Sequence, residues 1–105
     1  DIINRGGVKY NPSEVEETIL LHPKVQMTAI IPMPDPVLGE KACCFVQLVS
    51  NKKMELEELT AYLETKNISK NKWPERLEII KEMPLTPTRK VIKGSLSRLL
   101  REREN

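Results

Sequence analysis

Lys41-Ala42-Cys43-Cys44-Phe45-Val46-Gln47-Leu48-Val49 is a nearly unbroken apolar run. A stretch this short and this apolar reads as a strand covered on both faces. Upstream, Val25 to Ile31 is strand-like too, rich in β-branched and apolar residues. Between them Pro32-Met33-Pro34-Asp35-Pro36-Val37-Leu38-Gly39-Glu40 is expected to loop out, because three prolines do not fit a central strand. Cys43 and Cys44 are the two cysteines. Successive strand residues point to opposite faces, so the pair forms neither a disulfide nor a shared metal site. Buried thiols in a reducing, cytoplasmic setting are the expectation.

Asp1-Ile2-Ile3-Asn4 reads as a first strand, turned by Arg5-Gly6-Gly7 into Val8-Lys9-Tyr10. Asn11-Pro12-Ser13-Glu14 then opens a helix, with Asn11 as cap and Pro12 at the first position. Val15, Ile19 and His22 share its inner face, and Pro23 ends it near Leu21-His22. His22 is the sole histidine. It is read as a residue favourable to the helix C-terminal dipole rather than as a ligand or catalyst. Glu55 to Lys66 forms a second helix with Leu56, Leu59 and Leu63 inward. Glu75 to Ile80 reads as a half-exposed strand, and the tail from Arg101 to Asn105 is expected to fray. The fold class predicted is α+β: a small three-stranded sheet with an N-terminal β-hairpin and helices packed on it.

At 105 residues there is room for one domain and one modest core. Hydrophobic content of 39% with 30% charge fits a globular domain and excludes a disordered chain. The apolar runs are too short for the ~20 residues that a membrane span requires. Because the chain opens at Asp1 in strand-like sequence, it is expected to be part of a longer protein. Charge is uneven: residues 1–65 carry six Lys/Arg against ten Asp/Glu, and residues 66–105 carry eleven against five. This points to an anionic partner for the C-terminal part. Trp73 is the one aromatic there, so base stacking on nucleic acid is poorly served.

The cations concentrate at Leu85-Thr86-Pro87-Thr88-Arg89-Lys90-Val91-Ile92-Lys93. Ile92, Leu96, Leu99 and Leu100 follow helical spacing, which puts Arg89, Lys90 and Lys93 near a helix N-terminus. Exposed cations are disfavoured there by ~0.3–1 kcal/mol each. The functional reading is that a mobile loop presents a point charge to an anionic substrate; solvated lysines in a basic tail are the plain one.

Taken together, these pieces resemble the C-terminal lid domain of adenylate-forming enzymes: acyl-CoA synthetases, nonribosomal-peptide adenylation domains and luciferases. Asp1 to Glu16 resembles that family's D-x-I-x-x-G-G-x-x-I-x-P-x-E-I-E segment. Pro34 to Glu40 is similar to its P-D-x-x-x-G-E loop, Lys70 to Glu75 to K-x-K-x-P-E, and Leu85 to Lys93 to the final L-P-x-T-x-x-G-K-x-x-K. Four motifs in order cover nearly the whole chain.

The resemblance implies that residues 1–105 are a lid whose N-terminal ATP- and acid-binding domain and hinge lie outside this sequence. ATP (with Mg²⁺ through the N-terminal domain), a carboxylic acid and coenzyme A are the implied substrates, and the N-terminal domain of the same polypeptide the implied partner. The family's catalytic lysine maps to Lys90, with Lys93 next if the register slips. Its glycine loop, beside which a pantetheine arm passes, maps to Gly6 and Gly7. Val8, Lys9, the Pro36–Glu40 loop, Lys72 and Trp73 are the implied flank of the coenzyme. Arg89 departs from the pattern, standing where the family usually has glycine. Such a domain is implied to be inactive alone. Two other readings stay open: a lid serving a carrier protein in nonribosomal-peptide-type synthesis, and a free-standing basic module that binds nucleic acid.

Overall fold

The computed structural model describes residues 2–104, so Asp1 of the expected first strand and Asn105 of the tail lie outside the described residues. In chain order the elements are β1 (Ile3–Arg5), β2 (Val8–Tyr10), α1 (Ser13–Leu20), β3 (Val25–Asp35), β4 (Gly39–Leu48), α2 (Leu56–Thr65), β5 (Arg76–Ile79) and α3 (Lys93–Glu104). The class is α+β as expected, and the strand count differs: one five-stranded sheet takes in the N-terminal hairpin. The β1–β2 hairpin joins β4 through an antiparallel Arg5–Gly39 pair. Further along the same edge of β4, β5 pairs in parallel from Cys43–Arg76 to Val46–Ile79.

β3 and β4 form the spine, in register from Val25–Leu48 to Asp35–Gly39 with a bulge near Gln26. The expected proline loop is therefore mostly strand, and only Pro36 to Leu38 turn. Position on the sheet supplies the reason. β3 is an edge strand, and the Ile30 N–H points off that edge to the Glu16 carboxylate at 2.7 Å. Pro32 and Pro34 follow at steps of two, so their missing N–H groups face the same open side. No ladder bond is lost.

Alternation along β4 splits the interior into two layers. Ala42, Cys44 and Val46 face α1 and α2, joining Ile3, Val15, Ile19, Ile30, Leu59 and Leu63. Cys43 and Phe45 face α3, joining Ala29, Ile31, Met83, Leu96 and Leu100. The thiols thus lie on opposite faces, as the sequence predicts, and both are buried. Complete burial of a side chain such as Phe45 or Leu59 contributes roughly 1.5–3 kcal/mol.

Three local expectations change. α1 ends at Leu20, and His22 is buried with its ring edge-on to Tyr62 at 4.6 Å. Its Nδ1 accepts the Lys24 N–H, and burial lowers its pKa, so it is a neutral packing residue and not a dipole-capping cation. α3 begins only at Lys93; Ile92 precedes it and is 39% exposed. The tail is helical to Glu104, tied down by Arg103 to Glu78 at 2.7 Å.

Candidate functional site

The turn carrying Lys90 is a closed hairpin, not a slack loop. Leu85 and Val91 make an antiparallel bridge. Thr86 donates its N–H to the Lys90 carbonyl at 2.8 Å and accepts the Arg89 N–H at 2.8 Å. The Thr86 hydroxyl also accepts the Lys90 N–H at 3.0 Å. A tight turn of this kind needs one left-handed residue before the chain re-enters the bridge. Arg89 takes that place with φ of +67°, where a non-glycine residue costs about 1–2 kcal/mol. The conformation usual for glycine is thus kept without the glycine.

Lys90 is exposed on this hairpin, across from Thr86. Among the described residues its ammonium has no ion-pair partner. Lys93, the other candidate, lies 2.9 Å from the Glu16 carboxylate, and both side chains are mostly covered. Arg89 borders an open cleft shared with Gln26, Gln47 and Lys81. Of the three cations read as one cluster, Lys93 is engaged and only it lies on the helix.

At the opposite end of β4 three turns meet. Gly6 and Gly7 make the β1–β2 turn with φ of +58° and +85°, a geometry that two consecutive L-residues rarely accept. Gly6 donates its N–H to the Leu38 carbonyl at 2.7 Å, and Asn4 donates to Glu40 at 2.8 Å. Those bonds fix the hairpin to the Pro36–Leu38 turn. Asp35 folds that turn by accepting the Leu38 and Val37 N–H groups at 2.7 and 3.0 Å. The Leu38 bond, helped by Lys41 and Val37 against partial desolvation, holds its carboxyl below the ordinary range.

The third turn is the short 3₁₀ segment Lys70–Lys72. Arg5 fastens it, donating to the carbonyls of Asn71 and, at 2.8 Å, Trp73. The guanidinium also meets the Glu75 carboxylate at 2.9 Å and lies 5.3 Å from the centre of the Tyr10 ring. Glu75 in turn accepts the Ala42 N–H at 2.8 Å. Arg5 and Glu75 bring Gly6, Gly7, Val8 and Lys9 to the same end as Lys72 and Trp73, although neither was singled out from sequence. An opposite-charge pair placed at the edges of two motifs was the available signal.

The predicted coenzyme flank is unevenly free. Gly7 opens onto space with nothing within 4 Å of a notional Cβ, Val8 is 58% exposed, and Lys9 is exposed. Lys72 is 3.3 Å from Glu14 across the surface. Trp73 packs against the α1–α2 core and donates its indole N–H to the Ile68 carbonyl at 2.9 Å. From Gly39 to Gln47, which brackets the two ends, β4 spans about 26 Å at ~3.3 Å per residue. Among the described residues no group of three or more His, Cys, Asp or Glu is placed to hold a metal ion, and no helix is long and apolar enough to cross a membrane.

The family of AMP-binding enzyme C-terminal domains matches residues 14–90. The chain is 37% identical to the medium-chain fatty-acid–CoA ligase of Escherichia coli (strain K12) over 94 residues, which is 89% of this chain and 17% of that protein. It is also 37% identical to the 2,3-dihydroxybenzoate-AMP ligase of Bacillus subtilis (strain 168), over 98% of this chain and 19% of that protein. Among solved structures, the acyl-CoA synthetase of Brucella canis superposes with a TM-score of 0.87 at 29% identity, covering 100% of this chain and 20% of that one. The chain thus spans under a fifth of the length of the curated relatives it matches.

Proposed function

The chain belongs to the family of AMP-binding enzyme C-terminal domains, and we propose that it serves as the mobile lid of an AMP-forming acid–thiol ligase. In the first half-reaction a carboxylate oxygen attacks the α-phosphorus of ATP, the bond to the bridging oxygen breaks, and pyrophosphate leaves. Two anions must approach, and negative charge builds on the phosphorus oxygens. Lys90 supplies the compensating ammonium. At 4 Å and an effective dielectric near 20, one such charge is worth about 4 kcal/mol. Because the hairpin is closed by its own bonds, the motion that delivers Lys90 is that of the whole domain against the rest of the parent enzyme.

One observation carries this choice: Lys90 is exposed on a backbone-locked turn while Lys93 is tied to Glu16. A transferable charge must be both free and aimed. In the second half-reaction the other end of the sheet faces the activated acyl group, with the pantetheine arm running beside the Gly6–Gly7 backbone and Lys9 and Lys72 near the thiol carrier's phosphates. Replacing Lys90 with Ala in the parent enzyme is expected to lower ATP–pyrophosphate exchange by about 10²–10³-fold while sparing thioester formation from supplied acyl-adenylate. Undiminished exchange would refute the assignment.

The acceptor is open to a second reading, favoured by the equal 37% identity to a CoA ligase and to an aryl-AMP ligase. A carrier protein's pantetheine offers the same thiol arm as free CoA. Comparing free CoA with a phosphopantetheinylated carrier as acceptor separates the two. A nucleic-acid module is poorly supported, because several cations of the basic part are spent on ion pairs: Arg76 and Arg103 with Glu78, and Lys93 with Glu16.

A further inference from the structure

We propose that Glu16 is a positioning residue for Lys90, acting through Lys93; this rests on the reading of Lys90 as the adenylation cation. Glu16 lies on α1, and a single oxygen of its carboxylate does two things. Its Oε2 accepts the Ile30 N–H on the open edge of β3 at 2.7 Å, and it sits 2.9 Å from the Lys93 ammonium. The carboxylate therefore links the sheet to the first residue of α3. Ile92 and Val91 alone separate Lys93 from Lys90.

The start of α3 needs such a tether. Its first turn holds no acidic residue and opens on a lysine, which sets a cation against the positive end of the helix. Glu16 supplies from α1 the negative charge that the first turn of α3 lacks. On the other side, the segment is held by the Leu85–Val91 bridge and by the Ile92 N–H donated to the Pro84 carbonyl at 2.9 Å. Lys90 is thus braced from two directions, by its own hairpin and by the anchored helix. Remove the second brace and the hairpin can pivot about the first. A reacting group misplaced by about 1 Å can lose rate by as much as 10²-fold.

The test uses the parent enzyme carrying Glu16→Gln, which keeps an acceptor for Ile30 but removes the charge. Adenylation, followed as ATP–pyrophosphate exchange with octanoate or 2,3-dihydroxybenzoate, should fall roughly ten- to a hundredfold in kcat. The KM for ATP and thioester formation from supplied acyl-adenylate should stay near wild type. Backbone hydrogen exchange across residues 85–96, which requires no substrate, should quicken in the variant and not in the Glu58→Gln control on the remote α2 surface. Combining Glu16→Gln with Lys93→Met should add little to the larger single loss, as coupled partners do.

Exchange protection and adenylation both unchanged in Glu16→Gln, with Lys90→Ala inactive, would overturn this inference and leave the reading of Lys90 standing. Equal loss of both half-reactions would also overturn it, showing Glu16 to be a general stability residue. If Lys90→Ala itself adenylates normally, the underlying reading is what fails.

Discussion

The Gly6 end and the Lys90 end of the sheet are both tight turns with backbone in the left-handed region, yet they are built for opposite purposes. At the first, glycines take φ of +58° and +85°, and Arg5 bonds across to Asn71, Trp73 and Glu75. Nothing projects from Gly7, and nearby Lys72 and Lys41 are paired with Glu14 and Asp35. At the second, an arginine takes φ of +67° and the adjacent ammonium is exposed. One turn clears a path along its backbone; the other presents a side chain. The same local geometry can withhold chemistry or offer it, depending on which residue occupies the strained position and where neighbouring charges are spent.

The sharpest way to separate the ends is to delete the offered charge. Lys90→Ala is expected to lower adenylation by about 10²–10³-fold with unchanged thermal stability, read by pyrophosphate exchange beside a melting curve. Next in size is loss of the brace at the other end. Glu75→Ala removes the counter-charge of the Arg5 guanidinium and the acceptor of the Ala42 N–H, so it should destabilise the domain by about 2–3 kcal/mol, measured by urea unfolding. If the ends are independent, the Lys90 hairpin keeps its hydrogen-exchange protection in that variant under native conditions.

Much of this architecture was readable from residue pattern. The alternation Ala42-Cys43-Cys44-Phe45-Val46 announced a two-faced strand, and Leu59, Leu63, Leu96 and Leu100 announced the helical layers; all are buried as expected. The prolines misled because local sequence does not say which way an edge N–H points. Ile92 extended a helical period that tertiary pairing of Val91 with Leu85 cuts short. Lys90 could be singled out only through motif order. The braces of the two ends could not, since Arg5 meets Glu75 at a separation of 70 residues and Glu16 on α1 meets Lys93 on α3 with β3, β4, α2 and β5 between them.

A smaller effect is expected from relieving the strained position of the Lys90 turn. Arg89→Gly should stabilise the domain by about 0.5–1 kcal/mol, the backbone relief being partly offset by glycine's greater freedom when unfolded. A rise of a few degrees in the melting midpoint would register it. A fall would show that the arginine side chain makes contacts worth more than the strain.

Acid should touch the two ends unequally, and least strongly of all these changes. Asp35 has its pKa lowered, chiefly by the Leu38 N–H. Its contribution is complete above the unfolded carboxylate value near ~3.9 and is lost as pH falls through the lower folded value. The bonds that close the Lys90 hairpin involve hydroxyl and backbone groups only. Amide shifts of Val37 and Leu38 should therefore follow the Asp35 titration below the ordinary carboxylate range, a titration in which the backbone bonds of the Lys90 hairpin take no part.

The neighbouring thiols offer a use that has nothing to do with catalysis. Burial pushes Cys43 and Cys44 up to about 12, so a maleimide or disulfide reagent reaches either one only when its own layer lifts. Labelling followed by mass spectrometry would then act as a pair of clocks on adjacent residues, one timing the departure of α3 and the other that of α1 and α2.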